Sequence, residues 1–218
     1  MCYTQNRFNA LISACVLSLI ATAGWSQSLT WLGTLPGGSQ SGASGVSADG
    51  AVVVGGARNA AGRGRAFRWT ASGGMQDLGT WPGGVESQAW DVSADGAVVV
   101  GTGYNAAGQN RVFRWTASGG MQDLGTLGGD HGWAYGVSAD GSVVVGSAQN
   151  AAWQWRAFRW TASGGMQNLG TLPGYDRSYA SDVSADGSVV VGAAYNAAGQ
   201  YRAFRWTASG GWEDLNTT

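Results

Sequence analysis

The one histidine of this 218-residue chain is His131, and its two cysteines, Cys2 and Cys15, lie near the N-terminus. A tetrahedral zinc site and a Cys-His pair need more imidazole or thiolate than the rest of the chain carries, and a Ser-His-Asp triad could draw only on His131, which stands at a variable loop position. Four aspartates, Asp49, Asp95, Asp140 and Asp186, recur in the tripeptide Ala-Asp-Gly. A carboxylate in a glycine-rich turn is a hard oxygen ligand, but calcium takes about six to eight oxygens. A neighbouring acid accompanies only two copies, as Asp91 and Asp182. Closing a turn on backbone amides is the expected role of the four. Glu86, Asp91, Asp130, Asp176 and Asp182 fall between recurring motifs and offer carboxylate pairs of the kind glycosidases use, with no visible setting that would raise one pKa. No catalytic residue, metal site or cofactor is assigned, and the expectation is a chain that is not an enzyme.

Aromatic side chains are the stronger signal. Trp81, Trp90, Tyr104, Trp133, Tyr135, Trp153, Trp155, Tyr175, Tyr179, Tyr195 and Tyr201 stand at positions that differ between otherwise near-identical copies of a repeat. Positions held constant build the scaffold, so recognition belongs where the copies disagree. On exposed inter-strand loops these rings would suit a sugar ring or a protein partner. The expected function is a secreted binding or surface-interaction module, with a structural cell-surface spacer as the rival and a glycan-processing enzyme as a more distant one. Arg68, Arg114, Arg159 and Arg205 repeat beside a tryptophan, which predicts stacking on that ring or pairing with Asp77, Asp123 and Asp214.

The elements that position these residues come in four tandem copies, 32–77, 78–123, 124–168 and 169–214. The third is one residue shorter, through loss of a turn proline, where a length change is best tolerated. Gly is 38 of 218 residues and charged residues are only 11%, so turns are frequent and helix-forming periodicity is absent beyond the N-terminus. Each copy reads as four short strands. The first ends in Val-Ser, and Ala-Asp-Gly then turns the chain. The second, Val-Val-Val-Gly, has the continuous apolar character of a strand covered on both faces. The third is Arg-Ala/Val-Phe-Arg-Trp-Thr, and the fourth follows Ser-Gly-Gly.

Four-stranded units of this period cannot bury both faces alone and must cover one another. The predicted fold is all-β: four antiparallel sheets arranged as a small four-bladed β-propeller, with an open blade stack or β-solenoid as the alternative. Residues 29–34 copy the fourth strand and are candidates to latch a closed ring.

All twelve basic residues are Arg and the formal net charge is −1, which argues against nucleic acid, whose backbone requires clustered positive charge. Arg7, the apolar run 10–21 and the small residues around Ala23 form an export leader, residues 1–23, leaving 24–218 as one β domain. The run is too short to span a bilayer, so no membrane insertion of the mature chain is expected. The segment Ile12-Ser13-Ala14-Cys15 is also similar to a lipid-attachment box, although the apolar run continues past Cys15.

Leu-Gly-Thr-Leu-Pro-Gly-Gly, then the Val-Ser/Val-Val-Gly segment, then Arg-Ala-Phe-Arg-Trp and Met-x-Asp-Leu-Gly resemble the bacterial HAF extracellular repeat over residues 29–215. The resemblance implies an exported or surface-attached β-repeat protein and gives no activity; the expected partner, an extracellular glycan or protein, follows from the variable aromatic residues alone. It departs at the family's histidine, replaced here by Arg65, Arg111, Arg156 and Arg202, so no imidazole role carries over.

Overall fold

The computed structural model describes residues 29–216, so the expected export leader, its expected cleavage after Ala23 and Cys15 lie outside the described residues. The chain divides into two units, Met1–Trp31 and Leu32–Thr218. The described residues of the first carry no strand, and residues 32–34 are likewise unpaired, so the predicted latch strand at 29–34 does not form.

The second unit is all-β. Its strands are β1 (Ser41–Val46), β2 (Val52–Arg58), β3 (Gly64–Thr70), β4 (Gly74–Asp77), β5 (Gly84–Val92), β6 (Val98–Asn105), β7 (Asn110–Thr116) and β8 (Gly120–Gly125), followed by β9 (Gly128–Val137), β10 (Val143–Asn150), β11 (Trp155–Thr161), β12 (Gly165–Gly170), β13 (Arg177–Val183), β14 (Val189–Tyr195), β15 (Tyr201–Thr207) and β16 (Gly211–Asp214). They form four separate four-stranded antiparallel sheets, each in simple sequence order, so one repeat makes one blade.

The Ala-Asp-Gly turns join the first and second strand of every blade. In the third copy Ser138 Oγ donates to Asp140 Oδ1 at 2.7 Å, Ser142 N–H donates to the same oxygen at 2.9 Å, and Val143 N–H donates to Ser138 Oγ at 3.0 Å. Gly141 takes a φ of 70°, a left-handed conformation that favours glycine. A Cβ there would also meet Val98 of the preceding blade at 2.3 Å. The predicted turn-closing role of these aspartates is what the geometry shows.

Hydroxyl hydrogen bonding, from Ser138 and Ser184 respectively, holds the Asp140 and Asp186 carboxyls down at about 2, against an ordinary 3.8. A carboxyl lowered in the folded state contributes stability above its ordinary value and loses it as pH falls through the folded one. Stability should therefore decline between about pH 4 and about pH 2. Chemical denaturation across that window checks this, and Asp140→Asn/Asp186→Asn, which keeps the accepting oxygen, should flatten the decline.

The blades pack face to face, and the core lies between them. Val52, Val54 and Ala66 of the first blade, with Leu78 just after β4, meet Ala89, Val92, Val99, Phe113 and Trp115 of the second. Equivalent layers join the second blade to the third around Phe158 and the third to the fourth around Phe204. The valine run is covered on both sides because successive residues face opposite neighbours, and Val98, Val99 and Val100 are all buried.

Backbone bonds link the turns in series: Ala48 N–H donates to Ala94, Ala94 to Ala139 and Ala139 to Ala185, at 3.0 to 3.1 Å. Arg68 and Arg114 Nε donate to the Gly96 and Gly141 carbonyls of the next blade, at 3.0 and 3.2 Å, and Arg159 bonds Gly187 in the same way. This corrects the expected aspartate pairing. Asp77 and Asp123 are instead approached by Arg65 at 3.8 Å and Arg111 at 3.2 Å, because Asp77 and Asp123 pair in register with Phe67 and Phe113, leaving the other arginines to reach across.

The blades are those of a propeller, but the series is open between the last and the first. Val46 is 58% exposed, while its counterparts Val92, Val137 and Val183 are 6 to 8% exposed. Val191 is 38% exposed, while Val54, Val100 and Val145 are fully buried.

Candidate functional site

The first strand of every blade carries a β-bulge, and the bulged residues are Ser44, Trp90, Tyr135 and Ser181. A bulge leaves its extra residue outside the ladder and re-aims its side chain. With Tyr179 and Ala180, all four line one cleft of about 650 Å³ along the inner strands. The bulge is also why each second strand ends its valine run in glycine. A Cβ on Gly55, Gly101, Gly146 or Gly192 would lie 2.0 Å from a carbonyl oxygen of the bulged strand. Trp90 Nε1 donates to Thr102 Oγ1 at 3.2 Å, and burial pushes the Tyr135 and Tyr179 phenols up.

Two acids, Asp91 and Asp182, directly follow the lining residues Trp90 and Ser181 in the chain. Asp91 accepts from its neighbour Val92 N–H and, across the blade boundary, from Val137 N–H at 2.9 Å. Burial raises its pKa, and the Asp182 carboxylate adds like charge. The other sequence-flagged acids are spread out: Glu86 accepts from Gly64 N–H, and Asp130 from Gln109 Nε2.

A second grouping crosses the third and fourth blades. His131, Trp133, Trp155, Tyr179, Tyr195 and Tyr201 form an unbroken succession of ring contacts, with centroids 6.4, 4.8, 6.2, 5.5 and 5.6 Å apart. Beside it Trp153, Gln154, Trp155, Asp176 and Arg177 surround a cleft of about 540 Å³. Trp153 is 61% exposed and has a φ of 60°, the one non-glycine residue in the left-handed region among the described residues. The other copies hold glycine there, as Gly62, Gly108 and Gly199. An L-residue in that conformation costs about 1–2 kcal/mol, so the tip of the third blade presents an indole against backbone preference. Arg156 donates to Gln154 Oε1 at 2.9 Å and to the Asp176 carbonyl, tying both walls of the cleft together.

The structure thus assembles Trp90, Tyr135 and Tyr179 in one place and Trp133, Trp153, Trp155, Tyr179, Tyr195 and Tyr201 in another. Trp81 belongs to neither: it is buried, and its ring fills the space in which a Gly103 side chain would stand. Tyr104 is half-buried on β6, and Tyr175 packs against the last inter-blade layer while accepting from Arg202 Nε at 3.2 Å. Most of these rings sit on strands rather than on the predicted loops, because the strands run several residues beyond their constant motifs. Ser44 and Ser181 escaped sequence reasoning. Their signal was alignment with Trp90 and Tyr135 opposite a glycine that ends the valine run.

These features define an all-β propeller-blade protein with aromatic-lined clefts. No family model and no curated protein matches the chain. Among solved structures it is similar to TolB from Acinetobacter baumannii, at 13% identity and a TM-score of 0.59, over 82% of this chain and 44% of that one. A TolB-type protein of Agrobacterium tumefaciens matches at 16% identity and the same TM-score, over 82% and 62%. A puromycin-hydrolyzing peptidase of Mycobacterium tuberculosis matches at 16% and 0.53, over 82% of this chain but 28% of its own. The chain therefore spans less than two thirds of these proteins, and the likeness is one of fold. The last match corrects the expectation that the chain is not an enzyme: a similar fold forms part of a peptidase, so this fold is no ground for excluding catalysis.

Proposed function

We propose that the chain is an exported binding module that takes carbohydrate in the cleft between Trp153 and Trp155. The observation that carries this reading is the company these indoles keep. Apolar ring faces stand beside Gln154, Asp176 and Arg177, an amide, a carboxylate and a guanidinium able to bond hydroxyl groups. Recognition of a sugar needs this combination of a face to stack on and polar groups around its rim. The ring succession from His131 to Tyr201 extends the apolar strip beyond the cleft, towards the exposed Tyr201. The leader sequence supports export, and the ordered recurrence of four motifs supports membership of the HAF extracellular repeat family.

A glycan array with the purified chain tests the reading. Trp155→Ala should weaken the strongest signal at least tenfold, as expected when a stacking residue worth about 1.4 kcal/mol or more is removed. Trp153→Gly restores the residue of the other copies and should weaken binding without loss of stability. A folded protein that binds no glycan, or one whose binding ignores both changes, would sink the idea.

A further inference from the structure

The two open ends are counterparts of one interface. On blade 4 the outward face carries Val191 and Ala203, whose equivalents Val145 and Ala157 are fully buried against the next blade. On blade 1 the opposite face carries Ala43 and Val46, whose equivalents Ala89 and Val92 are buried against the preceding blade. The polar groups match in the same sense. Arg205 corresponds to the three arginines that donate to a glycine carbonyl of the next blade, and Gly50 corresponds to that glycine. Ala185 N–H continues the donor series of Ala48, Ala94 and Ala139, and the Ala48 carbonyl is the matching acceptor. Asp182 repeats Asp91, which accepts Val137 N–H from the following blade, and Val46 N–H occupies the equivalent place on blade 1.

We infer that two copies of this chain associate head to tail, blade 4 of each packing on blade 1 of the other. The contact reproduces the existing blade junctions, in continuity with an interface that occurs three times within the chain. Two such contacts would make a ring of eight blades, within the usual range of about four to eight. Such an interface is heterologous, each copy offering two different surfaces. It would also place Ser44 of the partner subunit beside Ser181 at the rim of the inner cleft.

Light scattering after size-exclusion chromatography tests this with the full chain and two single variants, Val46→Arg and Val191→Arg. Both side chains are exposed, so each variant should fold with an unchanged circular dichroism spectrum. The parent chain should show twice the monomer mass. Either variant alone should be monomeric, and mixing the two should regenerate a 1:1 pair through the one undamaged contact. Arg205→Ala, which removes within the chain only the exposed pair with Glu213 at 3.3 Å, should weaken association several-fold. A parent that is monomeric at all concentrations, as when another partner or further blades fill the gap, would overturn the inference. So would a dimer disrupted by only one of the arginine variants, or variants that fail to complement.

Discussion

Gly146→Ala is expected to cost about 3 kcal/mol, the upper end of what forced overpacking usually costs. The added Cβ would stand 2.0 Å from the Trp133 carbonyl oxygen and 2.9 Å from the Ala134 Cα. Both are backbone atoms of the adjacent strand, so no side-chain rotation relieves the clash. Relief requires β9 to move away, which undoes the bulge that carries Tyr135 to the inner cleft. A loss of this size should lower the melting temperature by roughly 6–12 °C in a domain of this length. Gly42→Ala provides the control. A Cβ at Gly42 meets nothing within 4 Å, and its backbone is not left-handed, so the change should fall within about 0.5 kcal/mol of neutral. Equal melting temperatures for the two variants would show that the bulge does not require the glycine.

Phe158→Ala should be larger still, at about 4 kcal/mol. The ring is fully buried in the layer between the second and third blades, among Val112, Ala134, Val144 and Ala148. Removing it leaves a cavity between two faces that are each held by the rest of their own sheets, so collapse around the void is limited. Because blade stability depends on nearest neighbours, damage at this junction also uncouples the first half of the series from the second. Phe67→Ala should cost less. That ring lies in the smallest layer, with Leu35, Ala57 and half-buried Val53, Trp69 and Met75, and among the described residues no blade precedes it. Urea denaturation of both variants measures the difference, and equal losses would contradict the dependence on blade position.

The Phe67 environment shows where reasoning from residues reached and where it stopped. The repeat, its four strands and its antiparallel order were legible because they rest on local chemistry. Ala-Asp-Gly closes a turn wherever it occurs, as at Asp140, and three valines in a row require cover on both faces. The register bulge was less visible. It arises from the meeting of two strands, and its trace in the sequence is a glycine, Gly146 or its equivalents, that could have ended a strand for other reasons.

Sequence variation marked the aromatic residues as one set and did not show how they group. Trp81 and Trp90 looked alike, both variable and both outside the constant motifs. The first fills the space above Gly103, and the second is turned by a bulge to the inner cleft. That difference depends on which strand lies opposite, a matter of pairing rather than composition. Trp153 is the converse case, since an indole where three copies have glycine could be seen directly, while its left-handed backbone and its place beside Trp155, Asp176 and Arg177 required the fold.

The sequence by itself determined the blade: short-range turn chemistry and period-two burial specify each four-stranded sheet four times over, as they would in any setting. Only the tertiary structure decided how the blades associate. Face-to-face packing depends on contacts between residues about 46 apart, as between Asp91 and Val137, and those contacts left Val46 and Val191 uncovered at the two ends although their counterparts are buried. Identical repeats carry no information on how many must assemble before the faces run out; the rotation from blade to blade sets that.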